Sequence, residues 1–182
     1  VDLAGLCRHP KVVAYGEIGL DYVKNFCPVS LQQKHFSRQV ALAKELHLPL
    51  VVHDREAHED IMELLEAAGP FPAGGVMHCF SGDAAFARRV LALGFYISIP
   101  GVVTFAKAEM LQEAVREIPL SSLVLETDGP FLAPAPYRGK RNEPRLLLFT
   151  AQKVAALKNL SLAEVARETT RNGVRLFTLE GR

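Results

Sequence analysis

Residues 50–78 read LVVHDREAHEDIMELLEAAGPFPAGGVMH. The segment opens on a short apolar run, Leu50-Val51-Val52, that ends at His53. It then carries Ile61, Leu64, Leu65 and Ala68 at i, i+3, i+4, i+7, one stripe of a helix. Gly69-Pro70 breaks that helix. A second apolar run, Gly75-Val76-Met77, ends at His78. A strand, a helix and a strand in that order require a crossover connection, hence two parallel strands.

The same alternation extends in both directions. Upstream, the run Lys11-Val12-Val13-Ala14-Tyr15-Gly16-Glu17 precedes a helical stretch over 30–47 with Phe36, Val40 and Ala43 at helical spacing. Downstream, Asp83 is placed to cap a helix with Phe86, Val90 and Leu93 inward, ended by Gly94. Phe95–Ile99 reads as a strand, Leu111, Ala114, Val115 and Ile118 as a helix face, and Leu123–Asp128 as a fifth strand. A Pro-rich loop from Gly129 to Pro144 leads to two closing helices, the last opened by a Ser161/Glu164 capping box. The strands read as apolar runs rather than alternations, which predicts burial on both faces. The pattern is α/β with five parallel strands in a single domain over residues 1–182. It suits a small doubly wound sheet or part of a barrel.

The chain has 182 residues and a formal net charge of +1. That charge argues against a protein that coats nucleic acid through many phosphate contacts; contact with nucleic acid would be local. No apolar run approaches the ~18 residues of a membrane span, and the N-terminus lacks the pattern of a signal peptide. Cys7, Cys27 and Cys79 are odd in number and form no CxxC pair, so reduced thiols and a cytoplasmic location are expected.

Four strands are expected to end in a potential metal ligand: Glu17, His53, His78 and Asp128. In parallel α/β folds the C-terminal strand ends share one face, and sites are built there. Two imidazoles and two carboxylates suit Zn or Mn, and carboxylate-rich sites also accept Mg. Each residue alone has a bland reading, since a strand-end His is often structural and Glu126 or Asp128 can cap a turn. Four such residues after apolar runs are harder to explain without a partner for the buried charge. Tyr137-Arg138-Gly139-Lys140-Arg141-Asn142-Glu143-Pro144 follows directly, and Arg138, Lys140 and Arg141 can clamp a phosphate. Arg55 is a further candidate for that role. His9, His35, His47 and His58 are expected on the surface.

At these residues the chain resembles the TatD family of metal-dependent deoxyribonucleases, within the amidohydrolase-like metal hydrolases. The resemblance rests on Gly16–Tyr22, Val51-Val52-His53-Asp54-Arg55, His78-Cys79-Phe80-Ser81-Gly82, Glu126-Thr127-Asp128 with Pro130, and Arg138–Pro144. It runs in order along nearly the whole chain. It implies a TIM-type (β/α)8 barrel with only the last five β/α units present. It implies Glu17, His53, His78 and Asp128 as ligands of two divalent cations (Zn, Mg or Mn). It further implies hydrolysis of phosphodiester bonds in DNA from a 3′ end, on single strands or strand ends, with Asp128 as general base and Glu17 touching both cations. Gly129 stands where many relatives carry Ala or Ser. The His-x-His strand that opens the family barrel has no counterpart, so an N-terminally truncated chain is expected. Such a chain would self-associate through open barrel edges, or need the missing segment. The rival readings are a related hydrolase acting on a small phosphate, ester or amide, and a non-catalytic remnant.

Overall fold

Apolar runs and helical stripes alternate through the chain as strands and helices in a computed structural model that describes residues 2–24 and 26–180. The elements are α1 (Leu3–Cys7), β1 (Tyr15–Asp21), α2 (Val29–Glu45), β2 (Leu50–Arg55), α3 (His58–Ala68), β3 (Gly75–Met77), α4 (Ala84–Ala92), β4 (Tyr96–Ile99), α5 (Glu109–Glu117), β5 (Leu123–Leu125), α6 (Leu147–Lys158) and α7 (Leu162–Leu176). Single 3-10 turns lie at Gly101–Thr104, Leu120–Ser122 and Pro144–Leu146. No helix among the described residues is long and apolar enough to cross a membrane.

The five strands pair in the order β1-β2-β3-β4-β5, every pair parallel. A doubly wound sheet reverses its strand order at a switch point. This sheet has no reversal. Right-handed crossovers made repeatedly in one direction lay the helices on one face, which is how a barrel wall is wound. Among the described residues β1 and β5 each pair on one side only, so the wall is open.

The helix-side face supplies the core. Leu20, Val52, Ile97 and Leu123 from strands meet Phe36, Ile61, Leu65 and Val90 from helices, all fully buried. The helix caps form as the sequence predicts. The Asp83 carboxylate accepts from the Phe86 amide, and Ser161 and Glu164 complete the capping box. Gly94 adopts φ +77° at the α4 terminus, a conformation that costs glycine little.

The structure corrects three expectations. Along β2, burial alternates: Leu50, Val52 and Asp54 are buried, while Val51, His53 and Arg55 are not. β3 and most of β4 are buried on both faces as expected, so one face of the sheet is covered and the other is open only in part, along β2. A groove of about 590 Å³ runs over that open face, lined by Val51, Val76, Ser98 and Val124 and flanked by Leu148 of α6 and Thr170 of α7. The first strand lies at Tyr15–Asp21, not over 11–17, so Glu17 is inside it. His53 likewise stands inside β2, whereas β3 and β5 stop before His78 and Asp128.

Candidate metal centre

Glu17 reaches the open face because β1 is irregular beside it. Tyr15 pairs with Leu50 but Ile18 pairs with Val52, so three steps of β1 face two of β2. Such a bulge re-aims a side chain. Glycines permit the close approach: a Cβ on Gly16 would stand 2.6 Å from the Val51 Cβ, and one on Gly19 would stand 1.8 Å from the His53 carbonyl oxygen.

The bulge turns Glu17 toward His53. Glu17 Oε1 lies 2.6 Å from His53 Nδ1 and 3.8 Å from His78 Nε2. His78 Nε2 lies 3.7 Å from Asp128 Oδ1. The structure thus brings Glu17, His53, His78 and Asp128 together at the carboxyl end of the sheet, across 111 positions of sequence from 17 to 128. Donor atoms about 2.0–2.2 Å from a tetrahedral zinc stand roughly 3.3–3.6 Å apart. The two longer separations are close to that spacing. The 2.6 Å contact is a hydrogen bond that a cation between the two groups would replace.

Two carboxylates hold the imidazoles from behind, and sequence reasoning missed both in this role. His78 Nδ1 lies 2.9 Å from Glu126 Oε2, which also accepts the Cys79 amide at 2.9 Å. That bond fixes the tautomer and leaves Nε2 free to act as a ligand. His53 Nε2 lies 3.3 Å from Asp21 Oδ2. Asp21 is itself fixed, its amide bonded to Gln32 Oε1 and its carboxylate accepting the amides of Val23 and Lys24. The Glu126 Oε1 atom is buried with no hydrogen-bond partner, a cost a nearby cation would relieve.

Charges here are mutually adjusted. The His53 hydrogen bond holds the Glu17 carboxyl below its ordinary value, against the opposing pull of burial. The same bond raises the His53 value. Burial disfavours a charged His78, but Glu126, Glu17 and Asp128 outweigh it and the value is raised. Burial pushes the Asp128 carboxyl up. His78, Cys79 and Glu126 also form a tight knot, with one donor atom from each within 4.8 Å of the others. Burial pushes the Cys79 thiol far up. Glu126 Oε2 is occupied by the His78 ring and the Cys79 amide. The knot supports the site rather than forming a second one.

The predicted cations lie at the end of β2 and in the loop that follows β5. Arg55 ends β2 and is exposed. Arg138 lies over the Phe105 ring, 4.6 Å from its centroid. Lys140 and Arg141 are exposed and, among the described residues, make no ion pair. The base of their loop is pegged by buried Asn142, whose Nδ2 donates to the carbonyls of Thr127 at 2.6 Å and Phe131 at 2.7 Å. The peg ties the basic loop to the Asp128 turn.

His9, His35 and His47 are exposed, as expected. His58 is not. It is half-buried, 2.7 Å from buried Asp54 and stacked on Phe86 at 4.4 Å. Asp54 Oδ1 also accepts the Ala57 amide at 3.2 Å, which fixes the carboxylate beside the α3 N-terminus.

A family model described as TatD related DNase matches residues 1–178. An uncharacterized metal-dependent hydrolase of Bacillus subtilis, YabD, is 47% identical over 174 residues, covering 96% of this chain and 68% of the relative. A second, YcfH of Escherichia coli, is 42% identical over 179 residues, covering 98% and 68%. The crystal structure of YjjV, a TatD homologue from Escherichia coli, superposes with a TM-score of 0.86 at 32% identity, covering 94% of this chain and 66% of that one. The chain therefore spans about two thirds of the length of the relatives it matches. Sequence match, superposition and the ordered run of motifs agree, and the chain belongs to the TatD-related DNase family.

Proposed function

We propose that the protein is a metal-dependent hydrolase that cleaves phosphodiester bonds in DNA, at 3′ ends or in short single-stranded stretches. The observation that carries the reading is the convergence of Glu17, His53, His78 and Asp128 at one rim of a parallel sheet, with the Arg138–Arg141 loop pegged to the Asp128 turn. The relatives' description as metal-dependent hydrolases supports the chemistry.

Glu17, His53, His78 and Asp128 would hold one or two divalent cations (Zn, Mg or Mn), with Glu17 between the two imidazoles. A bound divalent cation supplies Lewis-acid polarisation of a phosphate oxygen and acidifies a water. The chain's own groups do the rest. Glu126 and Asp21 hold the imidazole rings in orientation. Asp128, its carboxyl value raised by burial, accepts the proton of the attacking water. Arg138, Lys140 and Arg141 bind the phosphate and offset the charge that builds on its oxygens, and Arg55 adds to that field.

Single-turnover cleavage of a single-stranded oligonucleotide and of bis(p-nitrophenyl) phosphate by Asp128→Asn tests this. Loss of a positioned base lowers the rate by about 100-fold to 10,000-fold on both substrates. Undiminished cleavage removes Asp128 from the mechanism. A wild-type protein that cleaves an amide or carboxylic ester but neither phosphodiester removes the nuclease reading.

A further inference from the structure

The turn that carries Asp128 also presents an aromatic ring that, among the described residues, makes no ring-ring or cation-ring contact. Phe131 is 68% exposed, yet its backbone is tightly held. Its amide donates to the Asp128 carbonyl at 2.9 Å, and its carbonyl accepts from the Asn142 peg at 2.7 Å. The Asn142 amide donates to the neighbouring Pro130 carbonyl at 2.9 Å. Asp128 and Leu132 both adopt φ +55°. Left-handed conformations in non-glycine residues cost free energy and persist only where the surroundings enforce them. The turn therefore holds the root of a large apolar side chain in one place and leaves its ring open to solvent.

Its neighbours decide what it is displayed to. The loop that the same Asn142 anchors carries Arg138, Lys140 and Arg141. An exposed ring three residues from Asp128, on a turn tied to a cation-bearing loop, suits single-stranded nucleic acid: phosphates take the cations and an unstacked base takes the ring. An acidic peptide would use the cations but gain little from a flat aromatic platform. We propose that Phe131 is a stacking platform for a nucleobase adjacent to the cleaved bond. The inference rests on the phosphodiesterase reading and deepens it.

The probe is a single-stranded oligonucleotide carrying 2-aminopurine at its 3′-terminal position. Wild-type protein is expected to quench its fluorescence on binding. Phe131→Ala is expected to remove the quench and weaken binding about fivefold to a hundredfold. The ratio of kcat/KM on the oligonucleotide to kcat/KM on bis(p-nitrophenyl) phosphate should fall by a similar factor. Phe131→Trp, which keeps a π face, should retain both signals. Phe131→Leu, apolar without one, should behave as the alanine variant does. Thermal unfolding of each variant checks the fold. Wild-type quenching in Phe131→Ala overturns the proposal, as does full function in Phe131→Leu or an equal loss on both substrates. Should the wild-type protein cleave neither substrate, the phosphodiesterase reading fails, while the quench still reports separately whether Phe131 meets a base.

Discussion

At the scale of the residue, this site depends on which nitrogen of each imidazole is free. Glu126 takes the Nδ1 side of His78 and leaves Nε2 facing Glu17 and Asp128. Replacing Glu126 with Gln keeps the shape but removes the charge that orients the ring and strengthens it as a ligand. Carboxylates in this position are worth about 10-fold to 100-fold in metal affinity. Calorimetric titration of Glu126→Gln with Zn or Mn is expected to show that loss. The same titration carries a pH signature. His53 and His78 hold protons more tightly than ordinary imidazoles, and a cation must displace those protons. Affinity therefore falls as pH drops below the raised values and is restored above them. Without the Glu126 charge the His78 contribution to that fall moves to lower pH. Wild-type affinity in Glu126→Gln at every pH would reduce Glu126 to a structural role.

At the scale of the element, β1 decides whether Glu17 arrives. Sequence periodicity places a strand in this region, but its bounds and its bulge follow from pairing with β2. Gly16 and Gly19 let the two backbones approach. A methyl group at position 19 would meet the His53 carbonyl at 1.8 Å, a contact with backbone that no side-chain rotation relieves. Gly19→Ala is expected to lower stability in urea by about 1–3 kcal/mol, the usual range for overpacking, and to weaken cation binding through the displaced His53. Unchanged stability and affinity would show that β1 slides at no cost. The helices tell the opposite story. The stripe Leu111, Ala114, Val115, Ile118 is buried as the spacing predicts, because a helix face is a local property read at fixed intervals. Burial on both sides holds for β3 and most of β4 but fails along β2, since an apolar run does not say how many layers will cover it.

At the scale of the whole molecule, sequential parallel pairing distinguishes a barrel wall from a doubly wound sheet. Among the described residues both outer strands have one unpaired edge, and the open face bears a groove lined with valines. Unpaired edges and uncovered apolar surface promote association. Sedimentation of this 182-residue chain over a range of concentrations is expected to show mass rising above that of a monomer. A single monomeric species throughout would show that the edges are effectively guarded.

The four candidate ligands were picked out before any coordinates because each follows an apolar run, although Glu17 and His53 stand inside their strands rather than at the ends. The α/β class, the helix faces, the caps at Asp83 and Ser161, and the basic loop were legible for similar reasons. These are patterns of spacing, and spacing survives in one dimension. Tertiary structure alone decided that a bulge turns Glu17 inward, that Asp21 lies against His53 and Glu126 against His78, that His58 is held by Asp54 and Phe86, and that Asn142 ties the basic loop to the Asp128 turn. Each of these depends on strand register or on loop closure. A hydrogen bond between residues tens of positions apart needs both ends placed to within a fraction of an ångström, and packing, not periodicity, does that.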